Sequence, residues 1–120
     1  MQHIGKVIDE DGRITVPHFY DDVEEVPAAE REMIAQIPFD EQKYMAAINV
    51  KALKGEKGYS TLERNSCRPS FDICGIWGGY TGEGSKTVLP SKAYAKVSCR
   101  LVPHQNHEKI SKLFVDYINA

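Results

Sequence analysis

The sequence predicts an α+β domain, an antiparallel sheet with helices packed on one face, and three stretches carry the prediction. In "AYAKVSCRL", Ala93, Ala95, Val97, Cys99 and Leu101 fall on one side and Tyr94, Lys96, Ser98 and Arg100 on the other. That is the two-residue period of a strand whose one face meets helices while the other stays open. "SFDICGIW" repeats the period, with Phe71, Ile73, Gly75 and Trp77 alternating against Asp72, Cys74 and Ile76. Near the end, Ile110, Leu113, Phe114, Tyr117 and Ile118 recur at i, i+3, i+4, i+7 and i+8, the stripe of a helix that lies on the sheet. At 120 residues and 42% hydrophobic content the chain holds one modest core, so residues 1–120 read as a single domain.

Taken in order, the first element is a helical stripe of Ile4, Val7 and Ile8 that starts almost at Met1 without a capping residue. Gly12 stands where a left-handed residue ends it, and Pro17 imposes extended structure on what precedes it. From Asp21 to Val50 the pattern is helical. Pro27 suits a first-turn position, Ala29, Met33, Ile34 and Ile37 make one face, and Pro38 stops it. Asp40 then caps a second short helix, "EQKYMAAI". The acidic run Asp21, Asp22, Glu24 and Glu25 reads as a solvated approach to a helix N-terminus rather than a metal cluster. Ser60 with Glu63 three residues later is a capping box, Arg68-Pro69 opens the first strand, Pro103 closes the second, and Asn106 caps the last helix.

Between the strands, "GIWGGYTGEGSKTVLP" is rich in glycine. It is not a phosphate loop of the Walker type, because Lys86-Thr87 leads into Val88, Leu89 and Pro90 and then a strand rather than a helix. Spaced glycines let a backbone approach something closely, whether a structural crossing or a ligand. Two strands alone make an incomplete sheet. Further strands therefore hide in "RITVPHF" and "TVLP", or they have been removed from either side of the sequence.

Composition excludes several functions. A formal charge of −2 gives no footprint for nucleic acid and no basic run for an anionic membrane. No paired aromatics are expected on the face of Tyr94, a second reason against nucleic acid. Three cysteines, Cys67, Cys74 and Cys99, without a C-x-x-C spacing, suit a reduced, cytoplasmic setting, and no signal pattern or membrane-length apolar run occurs. His104 and His107 straddle the expected cap, His3 and His18 are isolated, and no nucleophilic triad is apparent. No catalytic or metal-ligating residue is assigned.

The segment "RPSFDICGIWGGYTGEGSKTVLPSKAYAKVSCRLVP", with "DEDGRITVPHFYDDVEEV" and "GYSTLERNS", resembles the lid, or dimerisation, domain of the carnosinase-type di-zinc dipeptidases. Their peptidase family also includes acetylornithine deacetylase, succinyl-diaminopimelate desuccinylase and carboxypeptidase G. The resemblance implies a ferredoxin-like lid whose sheet is here truncated, inserted in the parent into a zinc-binding catalytic domain and used to pair two subunits as a homodimer. It implies that the catalytic domain is absent, that two zinc ions belong to that domain, and that this chain binds no cofactor and is inactive alone. Two substrate-binding positions carry over: Thr87, in the K-T-V-L-P stretch, and Arg100, opening R-L-V-P, which would grip the terminal carboxylate of a dipeptide-like substrate. The alternative is a free-standing small-molecule-binding regulatory domain.

Overall fold

The computed structural model describes residues 2–120, and its element order is α1 (Gln2–Gly5), α2 (Ala28–Ala35), α3 (Glu41–Ala47), α4 (Thr61–Ser66), β1 (Ser70–Gly78), β2 (Ala93–Arg100) and α5 (His107–Asn119). This is the α+β class expected, with the two strands antiparallel. The chain divides into two compact units: the residues up to Pro69 together with Leu101–Ala120, and the ribbon Ser70–Arg100.

In the helical unit the first stripe is cut short. α1 ends at Gly5, and Ile8 instead forms an isolated antiparallel bridge with Ile14. A local turn wins over the helix because the Asp9 carboxylate accepts from the amides of Asp11 (3.0 Å) and Arg13 (2.9 Å). Gly12, at φ 76°, completes the reversal and leaves no room for a Cβ against the Gly55 carbonyl. The amide of Thr15 then donates to Val7 at 2.7 Å, and Val7 becomes fully buried while Ile8 turns outward.

Val7, Ile14, Val16, Phe19 and Ile110 are the buried apolar residues of this unit. α5 presents the expected stripe: Ile110 is buried, and Leu113, Phe114, Tyr117 and Ile118 are half-covered between exposed neighbours. The helix is tied to residues 15–24 by polar contacts. The Gln105 side-chain amide donates to the Phe19 carbonyl (3.0 Å) and Lys109 pairs with Asp22 (2.6 Å). Asn106 caps it through the Lys109 amide at 3.0 Å.

Between Asp21 and Val50 helix occupies only α2 and α3. Pro27 is the residue before α2 rather than inside its first turn, and Asp21–Val26 stays non-helical. Neither helix buries a residue completely. Asp40 caps α3 by accepting from Gln42 and Lys43, and Ser60 and Glu63 close the capping box of α4 in both directions.

A polar cluster that sequence spacing does not announce lies under α4. Arg68 is 4% exposed and Glu56 6%, and they meet through two parallel hydrogen bonds of 2.8 Å. The Arg68 guanidinium also lies 4.4 Å from the Tyr59 ring centroid and 5.5 Å from that of Tyr20, while its Nη1 has no hydrogen-bond partner. Glu63 binds Arg31 at 2.6 Å as well as the Ser60 amide. Its carboxyl is therefore held below its ordinary pKa, chiefly by the Arg31 hydrogen bond. Burial is the main cause pushing the phenols of Tyr20 and Tyr59 up.

In the ribbon, Ser70 pairs with Arg100, Ile73 with Val97, Gly75 with Lys96 and Trp77 with Tyr94. The register shifts between Ile73 and Gly75, so Cys74 is an extra, bulged residue. Among the described residues the sheet has these two strands. "TVLP" forms no strand, and "RITVPHF" contributes only the Ile14 bridge.

Candidate functional site

The bulge decides what the ribbon face of Tyr94, Lys96, Ser98 and Arg100 carries; the opposite face is not covered either, with Ile73 and Ile76 48% and 53% exposed. Continuous alternation from Phe71 would place Trp77 on the Phe71–Ile73 side; one extra residue at Cys74 transfers it to the side of Tyr94, Lys96, Ser98 and Arg100. A glycine inside an apolar strand run, Gly75, is the sequence signal that announces such an irregularity. Trp77 and Tyr94 consequently stack, with ring centroids 5.3 Å apart and planes 8° from parallel. The expectation that this face lacks paired aromatics is thereby corrected. Lys96 Nζ lies 5.9 Å from the Trp77 ring, and both rings are about half exposed.

Arg100 occupies the last position of β2, on this face, opposite Ser70. It is exposed, and among the described residues its guanidinium has no hydrogen-bond or ion-pair partner. Asp72 is two residues from Ser70 on the same face, and its carboxylate accepts from the Ser70 hydroxyl at 3.2 Å.

Thr87 lies at the other end, in the irregular segment that joins the strands, and is exposed there. The segment is built around Tyr80. Its hydroxyl donates to the Glu83 carbonyl (2.8 Å), its ring carries Lys86 Nζ at 4.7 Å, and it passes so near Gly82 that a Cβ there would collide with the phenol. Gly79 and Gly84, at φ 79° and 78°, supply the left-handed turns. The glycines thus serve a tight structural crossing that leaves Val88 and Leu89, 67% and 96% exposed, at the surface. The structure therefore does not place Thr87 and Arg100 on one strand end: Arg100 is the last residue of β2, and Thr87 lies in the irregular segment that precedes its first residue, Ala93.

Other reactive side chains do not converge. Burial, with the nearby Asp72 charge, pushes the Cys99 thiol up, away from nucleophilic use. His18 pairs with Asp21 (2.8 Å) and His104 with Glu24 (3.4 Å), so the two histidines are spent on separate carboxylates. Among the described residues no group of three or more His, Cys, Asp or Glu side chains could hold a metal ion. No helix of these residues is long and apolar enough to cross a membrane.

Comparison with known proteins adds the context for this face. The profile of the peptidase dimerisation domain family matches residues 4–120. The chain is 29% identical over 120 residues to the Cys-Gly metallodipeptidase of Saccharomyces cerevisiae, covering 100% of this chain and 25% of that protein. It is 34% identical over 111 residues to the Beta-Ala-His dipeptidase of Homo sapiens, covering 91% and 22%. Among solved structures, the M20 family metallo-carboxypeptidase Sso-CP2 from Sulfolobus solfataricus superimposes with a TM-score of 0.81 at 35% identity, over 98% of this chain and 31% of that one. Human carnosine dipeptidase 1 gives 0.79 at 30% identity, over 98% and 25%. The chain spans about a quarter of the length of the curated relatives it matches.

Proposed function

Since this chain belongs to the peptidase dimerisation domain family of the M20 metallopeptidases, we propose that it is the pairing and substrate-covering lid of a metal-dependent dipeptidase. On this reading residues 1–120 form one domain of a longer, cytoplasmic hydrolase that works as a homodimer. The hydrolytic machinery, with two zinc ions, belongs to another part of that polypeptide. The described residues of this chain assemble no donor set that fits zinc. What this chain contributes is recognition.

The observation that carries the reading is Arg100, an exposed guanidinium with no partner among the described residues, fixed at a strand end on the open face. Its planar fork matches a carboxylate through two parallel hydrogen bonds, and a strand holds it more rigidly than a loop does. Thr87 offers a hydroxyl to a polar group of the substrate. An extended strand rises about 3.3 Å per residue, so the eight residues of β2 separate its ends by roughly 23 Å, several times the reach of a dipeptide. Two copies resolve this: a shared site takes Arg100 from one chain and Thr87 from the other. That gives dimerisation a catalytic reason.

The test is made in the parent enzyme. Charge-assisted hydrogen bonds contribute about 1.5–3 kcal/mol each, so Arg100→Ala lowers kcat/KM for dipeptides by about tenfold to a hundredfold. Arg100→Lys, which keeps the charge and loses the fork, falls between. Neither changes the Tm appreciably, because the side chain is exposed. Full activity with a lowered Tm would assign Arg100 to the scaffold instead.

A further inference from the structure

Arg100 shares its face of the ribbon with a carboxylate. The ladder pairs Ser70 with Arg100, Phe71 with Cys99, Asp72 with Ser98 and, past the Cys74 bulge, Gly75 with Lys96. Alternate rungs share a face, so Asp72 stands diagonally beside Arg100, and Lys96 lies on the next rung of that face, across the bulge. Diagonal neighbours in an antiparallel pair lie about 7–8 Å apart, within reach of a long side chain. Asp72, Lys96 and Arg100 are all exposed. Asp72 accepts from the Ser70 hydroxyl at 3.2 Å, and Lys96 Nζ lies 5.9 Å from the Trp77 ring, but none of the three makes an ion pair among the described residues. A guanidinium and a carboxylate therefore stand on adjacent rungs, each without a counter-ion, and together they complement a molecule that carries both charges.

We propose that Asp72 is a specificity-determining residue that selects dipeptides whose C-terminal residue carries a cationic side chain, lysine above all. The proposal rests on Arg100 holding the terminal carboxylate. With that group fixed, the nitrogen of the C-terminal residue is an uncharged peptide nitrogen, so the positive charge left for Asp72 is the one on the side chain. Lysine's flexible four-carbon stem lets its ammonium cross one diagonal step to the Asp72 carboxylate. A C-terminal glutamate is disfavoured for two reasons. Its carboxylate meets Asp72 as a like charge, and its shorter stem falls short of Lys96, two rungs of that face away from Arg100.

The test compares kcat/KM in the parent enzyme for alanyl-lysine, for alanyl-norleucine, which keeps the stem and loses the ammonium, and for alanyl-glutamate. Alanyl-lysine exceeds alanyl-norleucine by about threefold to fivefold, what one exposed ion pair supplies, and alanyl-glutamate is the poorest of the three. Asp72→Asn brings the lysine-to-norleucine ratio to about one, and Asp72→Lys puts alanyl-glutamate ahead of alanyl-lysine. Lys96→Gln does not lower the ratio. Near-ultraviolet dichroism of the stacked Trp77–Tyr94 pair shows whether each variant keeps the ribbon intact. Should Asp72→Asn disturb it, Asp72→Ser decides by the same ratio. A wild-type ratio near one, a lysine preference that survives Asp72→Asn, or an equal loss on all three substrates overturns the proposal, the last by making Asp72 a support for Arg100. Arg100→Ala separates this failure from that of the reading beneath it. If it slows every dipeptide and the lysine preference is absent, only the role of Asp72 falls; if it slows none, the carboxylate grip falls and the selectivity with it.

Discussion

Glu56 and Arg68, twelve residues apart in sequence, each make the other's burial tolerable. Removing one charge strands the other in a buried site, so Glu56→Gln or Arg68→Met is expected to lose about 3–5 kcal/mol of stability, read from denaturant unfolding. Replacing both by apolar residues of similar volume recovers most of that loss, since the pair itself contributes little beyond neutralising its own desolvation. Glu63 makes a smaller, pH-dependent contribution. The Arg31 hydrogen bond depresses its folded-state pKa, so its stabilisation is fully present above the unfolded value, about 4.3 for glutamate, and is lost as the pH falls through the folded one. Between the two values the denaturation midpoint drops as the pH falls in the native chain, and Arg31→Met flattens the drop. Neither contact is visible as a motif. A buried pair joining an irregular loop to a residue two positions before a strand has no period, and the alternation of Phe71 onward says nothing about what precedes it.

At the level of elements, the ends were more legible than the interiors. Asp40, Ser60 with Glu63, and Asn106 satisfy orphan helix amides through their own neighbours, so a four-residue window contains the whole reason for them. The α5 stripe was legible because a helix of 13 residues repeats its period several times. The N-terminal stripe offered only three apolar residues, and the Asp9 side-chain turn, a stronger local signal, overrode it. Of the candidate site, the strand placing Arg100 was readable and the position of Trp77 was not, because counting by twos passes over a bulge without notice. That makes a deletion test informative. Removing Cys74 from the ribbon leaves Ile73 opposite Val97 and Gly75 opposite Lys96 in an uninterrupted ladder, so the Trp77–Tyr94 dichroism persists. Removing Asp72, a regular position, puts Phe71 and the residues before it on the wrong faces, and expression or stability falls.

Across the whole chain, helices and caps are gathered in one unit and the sheet in the other, and the two are stabilised differently. The helical unit buries Val7, Ile14, Val16, Phe19 and Ile110, whereas the ribbon leaves Ile73, Ile76, Trp77 and Tyr94 about half exposed. Two-stranded ribbons are marginal in water. Because the lone tryptophan sits in the ribbon and every helix lies outside it, one sample carries two separate thermometers. On heating, Trp77 emission is expected to pass its midpoint at a lower temperature than the helical ellipticity does; coincident curves would mean that the chain melts as one cooperative body. A ribbon that loosens first has a practical consequence for anyone handling this chain: its two backbone edges become available to other strands while the helices still look native, so precipitation on warming would begin before circular dichroism registers any loss of structure.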